Sequence, residues 1–508
     1  MELSWSDVVY LVIAFLSPTL LLLLMSRRRH GLWLPPGPPA WPVFGNMFDL
    51  GAMPHKSLAE LRDIYGDVLW LRLGAINTMA VLSAKAAAEL FKKNDMSFVD
   101  RSVSETVRSH GYHESSLALA PHGSYWRLLR RLLTVKMMVG KRINDAAVMR
   151  RKCVDDMLTW IEEEAREGSD GGGIPVGRFV FLMSFNHIGN LMLSRDLVDP
   201  DKEEASEFFA AMAGVMEWSG RPNVADFFPW LRWLDLQGLR RKMDRDMGKA
   251  LEIASKFVKE RIKERKLGNG LVVEERKDFL DVLLEFEGNG KDEPAKFSDH
   301  QIFIFILMFF AGSETTSTSI EWAMAELLLN PEAMAKAKAE LTCSIGPNRR
   351  LEETDIDNLP YLNAVVKETL RLHPPVPLLV PREAKNDTNF MGYSIPKNTK
   401  VLINAWAIGR DPDAWDDPLC FKPERFLGSK LDYKGQDFEY IPFGAGRRIC
   451  VGLALAHRLL HVTLGSLIHE FEWKLGGQVT PETLDMKERL GITSRKLEPL
   501  LAVPTKRN

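Results

Sequence analysis

The sequence predicts a mainly α-helical domain with small β-sheets, preceded by a single apolar helix at the N-terminus. Helical periodicity dominates the chain from about residue 120 to 375. The 508 residues are 45% hydrophobic and 26% charged, the composition of a globular protein with a large core. No long linker interrupts residues 44–508, so we expect one large domain there. The strand-like runs are short: Val68 to Leu73, Met79 to Ser83, Thr399 to Asn404 and Pro499 to Pro504.

The first element is an apolar run from Val8 to Met25, which predicts a membrane anchor over residues 1–26. As a helix this run is about 27 Å long, close to the hydrocarbon thickness of an endoplasmic reticulum bilayer. Three arginines, residues 27–29, follow at once, and such a flank stays in the cytosol. A cleaved signal peptide would carry its basic residues first and end in a small-residue cleavage site. We therefore expect a single-pass protein of the endoplasmic reticulum membrane with its main domain in the cytosol.

Residues 27–43 are basic and rich in proline, which predicts a stiff hinge before the domain at residues 44–508. The formal net charge of −2 argues against nucleic acid as a partner. The cysteines lack the spacing of a disulfide framework, so we expect four reduced thiols: Cys153, Cys343, Cys420 and Cys450.

The longest predicted helix begins at the N-cap pair Ser298-Asp299 and ends before Pro331. It is apolar on all sides from Ile302 to Ala311, which predicts burial. The segment Ala311 to Ser317 then brings a glycine, an acid and several hydroxyl residues, which are poor choices inside a helix. The segment therefore serves either a chemical function or a kink stabilised by hydroxyl groups that bond back to the helix.

A segment near the C-terminus, Phe443 to Gly452, places Cys450 among glycines and two residues after Arg448. A thiolate is stabilised by nearby positive charge, by N–H donors or by a metal. Glycine allows the backbone to approach a flat, bulky ligand closely, and an arginine can neutralise a carboxylate on that ligand. A lone cysteine is usually structural. The spacing of the whole segment favours the alternative interpretation, in which Cys450 is a metal-ligating thiolate.

The pattern Phe443-x-x-Gly446-x-Arg448-x-Cys450-x-Gly452 resembles the haem-binding loop of the cytochrome P-450 superfamily. The resemblance implies the cytochrome P-450 fold, with residues 44–508 as a haem-thiolate catalytic domain of the plant microsomal type. It implies haem b with Cys450 as the axial ligand and with Phe443 and Arg448 beside the cofactor. It also implies a monooxygenase that receives electrons from NADPH–cytochrome P-450 reductase and inserts one atom of O₂ into its substrate.

The segment Ala311 to Thr316 is similar to the oxygen-activation motif of the same family. The resemblance implies that the small residues leave room for dioxygen and that Thr315 hydrogen-bonds the oxygen being activated. It also implies that Glu314 helps to relay protons. Glutamate stands here where many members have aspartate, which leaves the geometry of the relay open.

Three further residues resemble family positions that hold the haem propionates. Trp126 and Arg130 match a Trp-x-x-x-Arg element, and Arg382 follows the matching Val380-Pro381 dipeptide. The alternative for each arginine is an ordinary surface position.

The resemblance also implies a structural lock behind the haem. Glu368 and Arg371 are three residues apart and therefore share one helix face. With Arg425 they resemble the Glu-x-x-Arg helix of the family and its arginine partner. We assign this lock to structure and not to catalysis; without the resemblance, a surface ion pair would be the default interpretation.

Two segments, Asn223 to Leu231 and Asp432 to Phe438, are similar to the plant group that includes geraniol hydroxylases and iridoid oxidases. We therefore expect a hydrophobic substrate, with a monoterpenoid or an iridoid favoured over an alkaloid or a phenolic compound. Phe309 and Leu378 are the first pocket candidates, and core packing is the alternative for each. The segments expected at the pocket are mostly apolar: residues 103–119, 212–224, 305–315, 376–379 and 491–492.

Two other functions remain open at this point. A haem-thiolate isomerase or dehydratase would rearrange its substrate without a reductase, but it would need no proton relay at Glu314 and Thr315. A non-catalytic haem sensor or membrane scaffold would need no apolar pocket. The resemblance also places two basic clusters on the cysteine side of the haem, where an acidic electron-donor protein would dock, with a solvated helix face as the alternative: Arg127, Arg130, Arg131, Lys136, Lys141 and Arg142, and Arg447-Arg448.

Overall fold

The computed structural model describes residues 33–167, 172–199, 206–267, 278–291, 293–347 and 349–507. The expected anchor at residues 1–26 and the first part of the hinge lie outside these residues. The described helices are α1 Met47–Leu50, α2 Pro54–Tyr65, α3 Ala84–Lys93, α4 Tyr112–Ser115, α5 Ser124–Leu132, α6 Gly140–Asp145, α7 Ala147–Glu167, α8 Val176–Leu193, α9 Ser206–Gly220, α10 Val224–Phe227, α11 Leu239–Leu267, α12 Phe279–Leu284, α13 Asp299–Phe309, α14 Ala311–Leu329, α15 Pro331–Ile345, α16 Pro360–Leu372, α17 Ala405–Ile408 and α18 Leu453–Glu470.

In the part of the chain that the structure describes, the strands are short and form four small sheets. The largest sheet has the order β1-β2-β8-β5-β3, in which only the β2–β8 pair is parallel. A three-stranded sheet has the order β4-β12-β9, and β6–β7 and β10–β11 are hairpins. The strands are β1 Val68–Leu73, β2 Ile76–Val81, β3 Asp100–Arg101, β4 Ile174–Pro175, β5 Arg382–Glu383, β6 Thr388–Phe390, β7 Tyr393–Ile395, β8 Lys400–Ile403, β9 Phe471–Leu475, β10 Glu488–Leu490, β11 Ser494–Lys496 and β12 Leu501–Lys506.

These elements confirm the prediction of a mainly helical protein with small sheets. The strand at Val68–Leu73 has the predicted bounds, and the other three predicted strands are displaced by one to three residues at one or both ends. Such shifts are expected because the strand ends depend on which neighbour completes the hydrogen-bonded ladder.

Helix α14 lies at the centre of the core and packs against α8, α16 and α18. Its buried face includes Ile320, Met324 and Leu327, which are at most 1% exposed. Burial of this kind contributes about 25 cal/mol per Å² of apolar surface, so the centre of the helix is among the most strongly held parts of the chain. The central helix is therefore a rigid platform for any side chain that it carries.

The predicted helix from Ser298 onwards is correct at both ends but is interrupted in the middle. Ser298 and Gln301 form a capping box, and the side chain of Asn330 bonds the carbonyl of Glu326 just before Pro331. At Phe310 the spacing of the helical hydrogen bonds changes from four residues to three. Its N–H donates to the carbonyl of Leu307 at 3.2 Å. The chain therefore continues as two helices, α13 and α14, because a tighter turn separates them.

Among the described residues, one stretch is long and apolar enough to span a membrane by length and composition alone, Asp299–Leu329. Its most apolar window is 72% buried inside the protein. We interpret this stretch as the core helix pair α13 and α14.

Candidate active site

Cys450 lies in a tight loop just before α18. Its backbone N–H bonds the carbonyl of Phe443 at 3.0 Å and closes the loop. Gly444 and Gly446 have φ of +71° and +70°, a left-handed conformation that favours glycine. A Cβ on Gly452 would lie 3.8 Å from Cys450 Sγ, so the glycine leaves the sulfur uncrowded.

The Cys450 side chain remains accessible in this loop. The side chain is exposed to solvent although protein atoms surround it. Burial raises the pKa of the thiol, whereas the N–H groups of Gly452 and Leu453 and the charge of Arg130 lower it. The loop thus supplies donors and a cation to a thiolate, as a metal-ligating cysteine requires.

A second accessible surface lies at the junction of the buried helices α13 and α14. Ala311 is exposed, and Gly312 and Thr315 are half-buried, although Phe310 and Ser313 are fully buried. A Cβ on Gly312 would meet only Ile188, at 3.7 Å. The small residues therefore leave open space beside the central helix.

Glu314 and Thr315 are adjacent in sequence but have different surroundings. Glu314 is buried, and its Oε1 accepts a 2.6 Å hydrogen bond from Thr493 Oγ1. The hydroxyl of Thr315 has long bonds to the carbonyls of Ala311 and Gly312, at 3.3 and 3.4 Å. The Thr315 hydroxyl is therefore weakly held and remains able to bond a group in the open space.

Buried arginines cluster around the cysteine loop. Arg448 donates to the carbonyls of Val99, Leu117 and Ala120, and its guanidinium lies 4.5 Å from the Trp126 ring. Burial and neighbouring Arg382 lower the pKa of Arg448 to about 10. Burial, Arg382 and Arg448 also lower the pKa of Arg101 well below its usual value.

The other predicted propionate residues already have protein partners. The indole N–H of Trp126 donates to Leu117 O at 3.1 Å, and Arg130 donates to Ile449 O at 2.6 Å. Arg382 is paired with Asp95 at 2.9 Å and also bonds Ala445 O. Arg130 and Arg382 therefore both bond the backbone of the cysteine loop.

The residues fit haem as a ligand. The loop offers a thiolate with N–H donors, and glycines permit close approach of a flat group. Arg101, Arg382 and Arg448 lie near two buried or half-buried acids, Asp95 and Asp100, and Arg130 lies near Cys450. Burial, and after it repulsion from neighbouring arginines, lowers the pKa of Arg101 and Arg448, and an anionic edge such as the two haem propionates would stabilise their charged forms.

Sequence reasoning did not identify Asp95, Arg101 and Thr493. The sequence did contain a signal for Arg101. Asp100 and Arg101 directly follow the apolar pair Phe98 and Val99, which is fully buried, so a charged pair next to the core was predictable. Asp95 carried no local signal. The turn at residues 491–492 was expected near the substrate, but the neighbouring hydroxyl of Thr493 was overlooked.

The three residues of the predicted lock are brought together. Arg371 forms a two-point ion pair with Glu368, with both distances 2.7 Å and both side chains fully buried. Arg425 adds a bond of 3.0 Å to the same carboxylate. Arg371 also donates to the carbonyls of Gly409 and Pro418, so its charge is satisfied within the protein.

The two pocket candidates have different surroundings. Phe309 is 7% exposed and packs against Phe279 and Phe305 at ring separations of 5.5 and 5.8 Å. Because these are core contacts, we do not retain Phe309 as a substrate contact. Leu378 is half-buried and packs beside the largest sheet, and the next residue, Leu379, approaches Gly444 of the cysteine loop. A pocket role for Leu378 stays a prediction.

The comparisons with known proteins decide the family. The family model described as cytochrome P450 matches residues 35–501. This chain belongs to the cytochrome P450 family. A solved zebrafish cytochrome P450 with progesterone has a TM-score of 0.75 and 26% identity to this P450, covering 89% of this chain and 99% of the zebrafish chain. The family membership and the fold imply a haem with a cysteine thiolate as its axial ligand, as the loop geometry requires.

Several plant proteins are similar to this P450 along nearly the whole chain. Cytochrome P450 76A2 of Solanum melongena is 57% identical and is covered completely in both chains. Iridoid oxidase of Catharanthus roseus is 52% identical over 96% of this chain and 95% of its own. Geraniol 8-hydroxylase of Swertia mussotii is 43% identical over 98% of this chain and 99% of its own. This P450 is therefore a monooxygenase of a group that contains hydroxylases and oxidases.

Proposed function

We propose that this P450 oxidises a monoterpenoid alcohol or an iridoid, with electrons from NADPH–cytochrome P-450 reductase. One observation carries the haem-thiolate chemistry: the Cys450 side chain stays accessible while N–H donors and a cation lie beside it. The names of two relatives, iridoid oxidase and geraniol 8-hydroxylase, support the substrate class. When bound, the haem supplies the activation of O₂.

Cys450 is the residue that would hold the haem iron. The N–H groups of Gly452 and Leu453 and the guanidinium of Arg130 stabilise its thiolate. Phe443 closes the loop through its carbonyl and packs against Tyr433 at a ring separation of 5.2 Å. The cysteine is therefore held in place before the cofactor binds.

The arginines would neutralise the haem propionates. Arg448 and Arg101 are the strongest candidates, because burial and neighbouring arginines disfavour their charged forms even though backbone carbonyls accept their N–H groups. Arg130 and Arg382 add charge while they bond the backbone of the loop. Trp126 contributes a flat face under Arg448 and does not offer its N–H, which Leu117 already accepts.

Glu314 and Thr315 would move protons at the open space beside Ala311. Thr315 presents its weakly held hydroxyl to that space, and Glu314 holds its carboxylate in a buried, hydrogen-bonded position. The fixed carboxylate of Glu314 would supply the proton, and the weakly held hydroxyl of Thr315 would orient the group that receives it.

We further propose a single-pass location in the endoplasmic reticulum membrane. The described surface supports contact with a bilayer, because several aromatic side chains are more than 45% exposed: Trp41, Phe44, Phe48, Trp230 and Trp233. Phe44 is 6.1 Å from Phe228, which lies 5.5 Å from Trp230, so two separate segments share one aromatic patch. The exposed basic residues Arg127, Arg131 and Lys136 support docking of the reductase.

The test is oxidation of a panel of terpenoid alcohols and iridoids by microsomes that contain this P450 and a plant reductase. We expect an oxygenated product that depends on NADPH and is absent with the variant Cys450→Ser. Product formed without NADPH would indicate an isomerase or dehydratase instead. Turnover of alkaloids or phenolic compounds alone, by a preparation with an intact ferrous–CO spectrum, would contradict the terpenoid assignment.

A further inference from the structure

The carboxylate of Glu314 is held by the hairpin of β10 and β11, which is distant in sequence. Thr493, in the turn of this hairpin, is 2% exposed and donates its hydroxyl hydrogen to Glu314 Oε1 at 2.6 Å. A buried bond from a neutral hydroxyl to a carboxylate restricts the rotation of the acid. The orientation of Glu314 therefore depends on the hairpin as well as on its own helix.

The same carboxylate oxygen also lies near the surface cation Arg495. Its Nη1 is 3.8 Å from Glu314 Oε1, and its side chain is 39% exposed, against 11% for that of Glu314. Arg495 thus links the buried acid to solvent.

The hairpin is held firmly on its other side. The backbone of Ser494 donates to Pro375 O at 2.8 Å and accepts from the Trp322 indole at 3.2 Å. Glu488 on β10 bonds His55 at 3.1 Å and Lys56 at 2.7 Å. These contacts leave Thr493 little freedom, so the hydroxyl is a fixed reference point for the carboxylate.

We propose that Thr493 is a positioning residue, which fixes the Glu314 carboxylate for proton delivery, and that Arg495 keeps the carboxylate in contact with solvent. The proposal rests on the proposed function of Glu314. The step moves protons only: the O–H bond of protonated Glu314 breaks as its proton passes to a hydrogen-bonded water, and a water beside Arg495 returns a proton to the carboxylate. Without the Thr493 hydroxyl the acid loses its donor and rotates, because Arg495 remains its nearest cation.

The first experiment measures the contact without using activity. Thermal unfolding of the ferric holoenzyme is followed for the wild type, Thr493→Val, Glu314→Leu and the double variant. We expect the double variant to melt close to the less stable single variant, because both substitutions remove one shared interaction. Additive shifts in the melting temperature would show that the contact does not exist and would overturn the proposal.

The second experiment measures the role. Product and hydrogen peroxide formed per NADPH are compared for Thr493→Val, which lacks the hydroxyl, and Thr493→Ser, which retains it. We expect Thr493→Val to lower the product yield per NADPH about fivefold and to raise peroxide, because general acid catalysis depends on placement of the acid. Thr493→Ser should restore most of the yield, and Arg495→Gln should lower turnover less than Thr493→Val does.

Arg489→Gln is the matched control, because Arg489 is exposed and pairs with Arg495 in the hairpin register. It removes one positive charge from the same hairpin and should leave the yield unchanged. An unchanged yield in Thr493→Val would overturn the positioning role. No product from the wild-type enzyme with any terpenoid would contradict the proposed substrate alone, since the unfolding cycle needs no substrate and would still decide the contact.

Discussion

Arg130 donates a 2.6 Å hydrogen bond to the carbonyl of Ile449, the residue directly before Cys450. The bond joins α5 to the cysteine loop and brings a positive charge near the thiol, which offsets part of the rise that burial causes in the pKa of Cys450. One side chain therefore both shapes the loop and favours the thiolate.

Loss of Arg130 should weaken haem binding. Arg130→Leu removes a charged donor to a carbonyl, an interaction worth about 1.5–3 kcal/mol, and removes a charge that stabilises the thiolate. We expect lower haem content and a smaller ferrous–CO band per unit of protein. Arg127→Leu is the control, because Arg127 is exposed on the same helix. Equal haem content in the two variants would contradict the dual role of Arg130.

Breaking the buried lock should prevent stable folding. Glu368→Gln leaves Arg371 and Arg425 without their carboxylate, and an unpaired buried charge costs about 3–5 kcal/mol. We expect little or no holoprotein in expression trials and a large loss of urea stability in what remains. Asp156→Asn, which breaks an exposed pair with Lys152, should change stability little. Normal yield of Glu368→Gln would show that the lock is dispensable.

The Glu488 cluster should make the stability of the hairpin depend on pH. Burial opposes ionisation of Glu488, but bonds from His55, Lys56 and Ser494 lower its pKa below the usual range. A carboxyl with a lowered pKa in the folded state stabilises the protein above its unfolded pKa of about 4.3 and loses that contribution as pH falls. The melting-temperature difference between wild type and Glu488→Gln should therefore shrink as the pH is lowered below about 4.

Glu498→Gln, an exposed position just after the hairpin, is the control for this pH dependence. A difference between wild type and Glu488→Gln that stays constant from neutral to acidic pH would contradict an ion-paired Glu488.

Gly220 at the end of α9 should be intolerant of a side chain. A Cβ there would lie 2.1 Å from the backbone nitrogen of Ile492 in the β10–β11 turn, so one backbone must shift. We expect Gly220→Ala to lower the melting temperature by several degrees, the usual result of an overpacked site costing about 1–3 kcal/mol. It should also lower the product yield per NADPH, since Thr493 belongs to the same turn.

Gly140→Ala is the matched control for Gly220→Ala, because a Cβ at residue 140 meets nothing within 4 Å. Equal melting temperatures for the two variants would show that α9 and the hairpin turn can move apart without loss of stability, and would contradict tight packing at Gly220.

Phe309 should affect stability and not selectivity. Phe309→Ala removes a ring packed between Phe279 and Phe305, and such deletions cost about 3–5 kcal/mol. We expect a lower denaturation midpoint but the same ratio of oxidation products. A changed product ratio would return Phe309 to the substrate pocket.

The sequence by itself determined the features that depend on short segments. The spacing around Cys450, the unusual residues of Ala311 to Ser317 and the three-residue step from Glu368 to Arg371 each lie within one loop or helix. Their geometry follows from local backbone rules, so a family resemblance was enough to predict them. The same holds for the mainly helical class, which the periodicity indicated directly.

Only the tertiary structure decided which distant residues meet. Asp95 forms an ion pair with Arg382, and Thr493 donates a hydrogen bond to Glu314. Arg101 lies near Arg448, although hundreds of residues separate the two in the chain. The direction in which Phe309 points was likewise set by packing against α12, because an apolar side chain on an all-apolar helix suits any neighbour. Hydrophobicity predicts that a residue is buried, but the packing of elements decides which residues it contacts.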